Sequence, residues 1–490
     1  MTRRPRLVPM KRHNMNEVDR VPLENAAAVS IDGRQFQFTG VTDARFEPGS
    51  LVILRSEAGN AATIDQLAQV EEVSFTIGGA PHGSGRILGL LTGGHLDVRR
   101  SVAFGAATLQ PADARTTELL YGDAATSLPI GSFLASQDIP ARLLAHRFNR
   151  HTFWCGQSGS GKTYALGVVL EQLLIHTALP MVIFDPNADF VHMRQAHSGG
   201  GATDAQRALS ARDIRVLRPA SPAPDALRVR FVDLSLPSKA AVVRLDPLQD
   251  RAEHNLLMHL EATIGRIEPA TVIPHLLELG TPAARSLAAR TENLRVTDWS
   301  VWAGDLEPVT DILDTRPDAT VLDLGGFAHP EESLVVALAV LDDLWAKREQ
   351  RRPLLIVIDE AHNFCSPDQT SPLHVAVRER IVQIAAEGRK FGLWLLLSTQ
   401  RPSRVHPSIM SQCDNLALMK MTSPVDLDEL ATIFGFVPPA MLARAARFKQ
   451  GEALFAGGFV PAPTVVTMGP RLTREGGSDV GVPLREAREL

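Results

Sequence analysis

The chain is poor in cysteine, in aromatic side chains and in net charge. It has three cysteines in 490 residues, Cys155, Cys365 and Cys413. They lie far apart and form no Cys-x-x-Cys pair. That argues against a disulfide framework or a thiolate metal site and fits a reducing, cytoplasmic compartment. Aromatic residues make up only 5%, which argues against gripping single strands by base stacking alone. The formal net charge is -5, so any nucleic-acid contact must come from a local basic lining. No apolar run approaches the ~20 residues of a membrane span, and no membrane partner is expected. Residues 1–20 are basic and polar without the apolar centre of a signal peptide, and read as a flexible arm.

What is present is a large apolar fraction, 44%, in a chain long enough for about two to four domains. One stretch organises the rest: Gly156-Gln157-Ser158-Gly159-Ser160-Gly161-Lys162-Thr163. It fits the phosphate-binding loop G-x-x-x-x-G-K-[ST]. Thr152-Phe153-Trp154 before it is apolar and β-prone, and Tyr164 to Ile175 after it is a helical run. Strand, glycine loop and helix are the context the motif needs. The glycines let backbone N–H groups turn toward phosphate oxygens, and the helix N-terminus adds its positive end. Lys162 is placed to reach the β- and γ-phosphates of ATP, and Thr163 to hold Mg²⁺.

Upstream, residues 21–115 carry short β-prone pieces such as Gln35-Phe36-Gln37-Phe38 and Leu51-Val52-Ile53-Leu54. Glycine turns separate them, including Gly78-Gly79 and Gly93-Gly94. The pattern predicts a small β-barrel with a structural or docking role. Residues 116–149 read as a connector with short helical pieces. After the loop and its helix, Met181-Val182-Ile183-Phe184 is a buried strand closing in Asp185-Pro186. Its end should lie beside the phosphate loop. Asp185 is either a nucleotide-site residue or a plain Asp-Pro turn. Residues from about 191 to 318, opening on a loop at His197-Ser198-Gly199-Gly200-Gly201, read as a mostly helical insertion.

The second half of the site is Leu354-Leu355-Ile356-Val357-Ile358-Asp359-Glu360, an apolar run ending in two acids. A buried parallel strand reads this way. Asp359 can hold the Mg²⁺ water shell opposite Thr163, and Glu360 can polarise the attacking water. Ser371 to Gly388 reads as a helix with Gly388 as its stop, after which Arg389 should point away. Leu393 to Leu397 is another buried strand, closing in Ser398-Thr399-Gln400-Arg401-Pro402. Gln400 at that tip can contact γ-phosphate or water. Residues 467–490 read as an extended tail able to brace an adjacent subunit.

Arg150-His151, Ile358-Asp359-Glu360-Ala361-His362, Glu387-Gly388-Arg389-Lys390-Phe391-Gly392 and Ser398-Thr399-Gln400-Arg401-Pro402-Ser403 together resemble the HerA family of hexameric DNA translocases, within the wider HerA/FtsK group. The likeness spans about residues 150–466. It implies an α/β fold with a RecA-like P-loop NTPase core, preceded by a small barrel. By position, Lys162, Thr163, Asp359 and Glu360 match the nucleotide and metal residues, and Gln400 the sensor glutamine. Arg150 and Arg389 match arginines placed around nucleotide at subunit interfaces. The family often writes Asp-Pro-x-Gly-acid where this chain has Asp185-Pro186-Asn187-Ala188-Asp189. The resemblance further implies a homo-hexamer around double-stranded DNA and a separate effector, a NurA-like nuclease. Two other readings stay open. One is a defence ATPase that scaffolds a nuclease or a sirtuin-like NAD-degrading enzyme. The other is a protein-moving ATPase of secretion or conjugation type.

Overall fold

The computed structural model describes residues 26–40, 46–57, 63–75, 80–122, 126–197, 203–264 and 269–477. The basic arm, the Gly78-Gly79 turn, Ser198 to Gly201 of the glycine loop and the last part of the tail lie outside these residues. The chain divides into two compact units at Thr116 and Thr117.

The first unit is all strand: β1 Ala26–Ser30, β2 Gln35–Thr39, β3 Leu51–Glu57, β4 Thr63–Ser74, β5 His82–Thr92, β6 His95–Asp97 and β7 Ala107–Pro111. Period-two alternation makes them strands. Phe36 and Phe38 of β2 are buried while Gln35, Gln37 and Thr39 are exposed. Val52 and Leu54 of β3 repeat the pattern. The order β2-β1-β7-β3-β4-β5 closes on itself, because β5 also pairs with β2. A closed barrel leaves no free edge between these six strands, and β6 hangs on β5 as a hairpin through Gly93-Gly94, both with positive φ. The barrel core is built from residues such as Phe36, Phe38, Phe46, Leu54 and Val70.

The second unit is an α/β domain around one eleven-stranded sheet. Its strands are β8 Ser127–Phe133, β9 Ser136–Leu144, β10 His151–Cys155, β11 Met181–Asp185, β12 Ile214–Leu217, β13 Ala319–Asp323, β14 Leu354–Ile358, β15 Leu393–Thr399, β16 Cys413–Met419, β17 Glu452–Gly457 and β18 Thr464–Met468. The order is β12-β13-β11-β14-β15-β10-β16-β17-β18-β8-β9. Pairing is parallel from β12 through β16 and antiparallel from there to β9. Strands β10, β11, β13 and β14 are buried along their whole length, as expected for a parallel sheet covered on both faces. The strand that feeds the phosphate loop, β10, is separated from the Asp359 strand, β14, by β15. The fold is that of a RecA-like P-loop NTPase.

Three expectations need correction. Residues 116–149 are no connector: β8 and β9 form a hairpin that extends the main sheet through β18. Pro129 and Gly131 disguise the strand, and the structure absorbs them in a register shift between the two. The block 191–318 is not purely an insertion either. Its four-residue strand β12 is the sheet's outer strand, paired with β13; helices Leu236–Val242, Arg251–Ile264, Pro269–Leu279, Pro282–Asn293 and Val309–Asp314 follow it. The tail boundary also moves, since β18 runs to Met468 and residues after it dock on this same domain. The helix Pro372–Glu387 does end at Gly388, as expected; Gly388 has φ -61° and opens a 3-10 turn that closes on the left-handed Gly392 at φ 84°.

Candidate nucleotide site

The phosphate loop joins β10 to the helix Lys162–His176. Gly159 and Gly161 take φ 75° and 86°, conformations costly for any other residue. The loop is pinned to two neighbouring strand ends. Gly156 N–H donates to the Thr399 carbonyl at 3.3 Å, and Gln157 N–H to the Lys420 carbonyl at 2.9 Å. Gln157 Oε1 accepts from the Thr422 N–H at 2.9 Å and the Thr422 hydroxyl at 2.8 Å. Thus Gln157, a variable position of the motif, fixes the loop's shape. The first N–H groups of the helix have no partner within it and form an anion cradle.

Lys162 is buried. Its Nζ donates to Asp359 Oδ1 at 2.7 Å and to Ser398 Oγ at 2.9 Å, and lies 3.3 Å from Glu360 Oε1. Burial works against its charge, but the Asp359 and Glu360 carboxylates outweigh burial and raise its pKa. Ser398 Oγ also donates to Asp359 Oδ1 at 2.6 Å. Thr163 Oγ1 donates to Asp189 Oδ2 at 3.3 Å. Asp185 is fully buried and accepts N–H bonds from Asp189 and Phe190, both at 2.8 Å. Burial pushes its carboxyl up to about 7 in spite of those bonds. Burial and the nearby Asp359 push Asp189 up to about 6. Asp185 therefore shapes the turn that carries Asp189.

These donors fit a magnesium ion. Asp359 Oδ2 is buried with no hydrogen-bond partner, and the Thr163 hydroxyl and Asp189 carboxylate lie beside each other. All are hard oxygen ligands. Among the described residues no group of three or more His, Cys, Asp or Glu could hold a metal alone. Nucleotide phosphates and waters would complete such a shell, the usual arrangement for Mg²⁺.

Glu360 sits just past β14 with φ 45°, a strained backbone for a non-glycine residue. It is buried. Gln400 Nε2 donates to its Oε1 at 2.7 Å, and His362 Nδ1 lies 3.3 Å from its Oε2. His362 is also 3.1 Å from the Thr399 hydroxyl; burial lowers its pKa despite the Glu360 charge. So Lys162, Thr163, Asp359, Glu360 and Gln400 meet at the C-terminal edge of the parallel strands.

Arg150 and Arg389 do not join them. Both precede strands, β10 and β15, and so lie at the opposite edge. They share one acid at the start of β16: Arg389 Nη1 is 2.6 Å and Arg150 Nε 3.6 Å from Asp414 Oδ2. Their side chains stay 36% and 41% exposed, which leaves the guanidinium groups reachable from outside the domain. Sequence reasoning missed Ser398, His362 and Asp414. His362 and Ser398 stand inside quoted motifs; for Asp414 no local signal exists.

Buried Lys162, Asp359 and Glu360 with half-buried Thr163 on a phosphate loop define a P-loop ATPase. The family described as helicase HerA, central domain, matches residues 128–342. A probable helicase of Methanocaldococcus jannaschii is 22% identical over 393 residues, covering 76% of this chain and 72% of that protein. The DNA double-strand break repair helicase HerA of Pyrococcus furiosus is 20% identical over 474 residues, covering 85% and 83%. Among solved structures, the plasmid coupling protein TrwB in complex with ADP and Mg²⁺ aligns at 15% identity and TM-score 0.48, covering 70% of this chain and 89% of that one. Residues 128–342 of this chain thus carry the HerA central domain.

Proposed function

We propose that this chain is the subunit of a ring-shaped, homo-hexameric motor that hydrolyses ATP between subunits and moves along double-stranded DNA. The observation that carries the reading is the split of the site residues between two edges of one sheet. Lys162, Thr163, Asp359, Glu360 and Gln400 stand at one edge, and Arg150 with Arg389 at the other. By strand rise the two edges are roughly 20 Å apart. An arginine at the far edge cannot act on its own subunit's γ-phosphate, but suits a neighbour's.

In this reading Lys162 leaves its three oxygen partners to neutralise the β- and γ-phosphates. Thr163 and Asp359 would hold Mg²⁺, whose charge would offset the negative charge that develops on the phosphates. Glu360 accepts a hydrogen bond from the attacking water. Its direct bond to Gln400 ties the state of that carboxylate to the tip of β15. Asp414 holds Arg150 and Arg389 until an adjacent subunit presents nucleotide. An arginine delivered in trans makes hydrolysis depend on subunit contact.

The DNA substrate is proposed from the likeness to a DNA double-strand break repair helicase, and a separate effector, a nuclease of the NurA kind, from the motif resemblance alone. Steady-state ATP hydrolysis with and without linear duplex tests the DNA part. Stimulation by duplex, suppressed as salt rises, is expected. Hydrolysis indifferent to duplex at low salt would contradict it and favour a protein-moving ATPase.

A further inference from the structure

The segment that follows β18 threads into the nucleotide domain. Arg471 is buried; its guanidinium lies 5.5 Å from the centre of the Phe190 ring. It fills a socket on the phosphate-loop helix. A Cβ on Gly167 would come within 2.6 Å of the Arg471 Nε, which explains a glycine in the middle of that helix. One turn further, Glu171 is fully buried. Its carboxylate accepts the N–H groups of Leu472 at 2.8 Å and Thr473 at 2.9 Å and the Thr473 hydroxyl at 2.6 Å. The Arg471 Nε also lies 3.6 Å from its Oε1, so this buried glutamate holds three successive residues of the segment, 471–473, and is its anchor.

The far end of the same segment meets the turn after β11. Arg471 Nη2 and Gly476 N–H both donate to the Asp189 carbonyl, at 3.4 and 3.1 Å. That turn holds Ala188 at φ 59°, where the family pattern has glycine. A Cβ on Gly476 would stand 1.9 Å from the Ala188 carbonyl oxygen, so the contact is as close as backbones allow. The carboxylate of Asp189, on the other side of this turn, reaches the Thr163 hydroxyl.

We propose that residues 471–477 form a positioning strap of the nucleotide site: anchored on Glu171, the strap locks the Asp185–Phe190 turn so that the Asp189 carboxylate stays beside Thr163, where it orients a water of the nucleotide's Mg²⁺. The proposal rests on the Mg²⁺–ATP reading above. It makes Asp189 a metal-side residue in spite of the departure at Ala188, with the strap supplying the rigidity that a glycine turn does not need. Arg471, Glu171 and Gly476 are then positioning residues that act through Asp189.

The test uses the full chain and a fluorescent ATP analogue, titrated in Mg²⁺ and in EDTA. Gly476→Ala lifts the strap from Ala188 while leaving the Glu171 anchor in place, and thermal unfolding checks that the fold survives. The expected result is a roughly tenfold loss of the affinity gained from Mg²⁺, as for other groups that orient metal ligands, with affinity in EDTA within about twofold of the parent. Asp189→Asn should show the same loss, and the double variant no more than either single one. An unchanged Mg²⁺ gain in Gly476→Ala, or an equal loss in Mg²⁺ and EDTA, would overturn the strap. A parent protein with no Mg²⁺-dependent binding would instead overturn the reading of the nucleotide site.

Discussion

Glu360 is the residue where backbone strain and chemistry coincide. Its φ of 45° swings the side chain from the end of β14 toward Gln400, and the surrounding burial sustains the cost. Glu360→Gln should bind ATP with parental affinity and hydrolyse it at least about a hundredfold more slowly, the range for loss of a general base. A parental rate in a single-turnover assay would remove Glu360 from the mechanism. Lys162→Ala leaves Asp359 buried without its cation and takes the phosphates' main side-chain donor away. ATP affinity should fall about 10–100-fold, from the ~1.5–3 kcal/mol of a charged hydrogen bond, as read by equilibrium binding.

At the same scale His151 predicts a pH dependence of stability. It is buried, its Nδ1 accepts the Leu395 N–H at 2.9 Å, and its pKa is lowered to about 4 by burial and then by Arg389 and Arg150. The unfolded chain therefore binds a proton below its ordinary value near 6.5 that the folded chain refuses. The neutral-histidine contribution is complete above that value and is lost progressively as pH falls from about 6.5 to about 4. Linkage puts the loss at ~2 kcal/mol by pH 5. His151→Asn, whose amide oxygen can still accept the Leu395 N–H, should flatten this slope in denaturant titrations at pH 7.5 and 5. A parental slope would show that His151 does not carry it.

At the scale of elements, the phosphate loop, the Asp359–Glu360 strand and the Gln400 strand were legible because each is a local pattern. Their residues are neighbours in sequence, and four or more apolar residues before an acid can only be a buried strand end in this context. The β8–β9 hairpin was not legible. Pro129 and Gly131 break its local signal, and its partner β18 lies more than 300 residues away in sequence. The strap was missed for the same reason: Glu171 and Thr473 are 302 residues apart. Asp414 was invisible because a lone exposed acid at a strand start carries no pattern. Gly388 was legible as the end of its helix, but the left-handed turn falls four residues later, at Gly392, with φ 84° and a would-be Cβ 3.1 Å from Pro353 Cα. Gly392→Ala should therefore destabilise the domain by about 1–3 kcal/mol in chemical unfolding, whereas a neutral result would mean the turn adapts freely.

At the scale of the whole molecule, a closed barrel and a RecA-like domain occur in one chain, and the RecA-like domain keeps its two charge centres on opposite sheet edges. In the proposed reading one edge takes a cation in trans, and the other offers two arginines held by a single acid. This complementarity makes a head-to-tail assembly the natural partner of each site, and such contacts close into rings when the rotation allows. The most direct measurement mixes two inactive proteins. Arg150→Ala keeps an intact Lys162, Lys162→Ala keeps an intact Arg150, and neither ring alone should hydrolyse ATP. With subunit exchange verified by co-purification of differently tagged chains, the account predicts ATPase activity that appears on mixing and peaks near equal proportions. Mixed rings that stay inactive at every ratio would contradict hydrolysis between subunits.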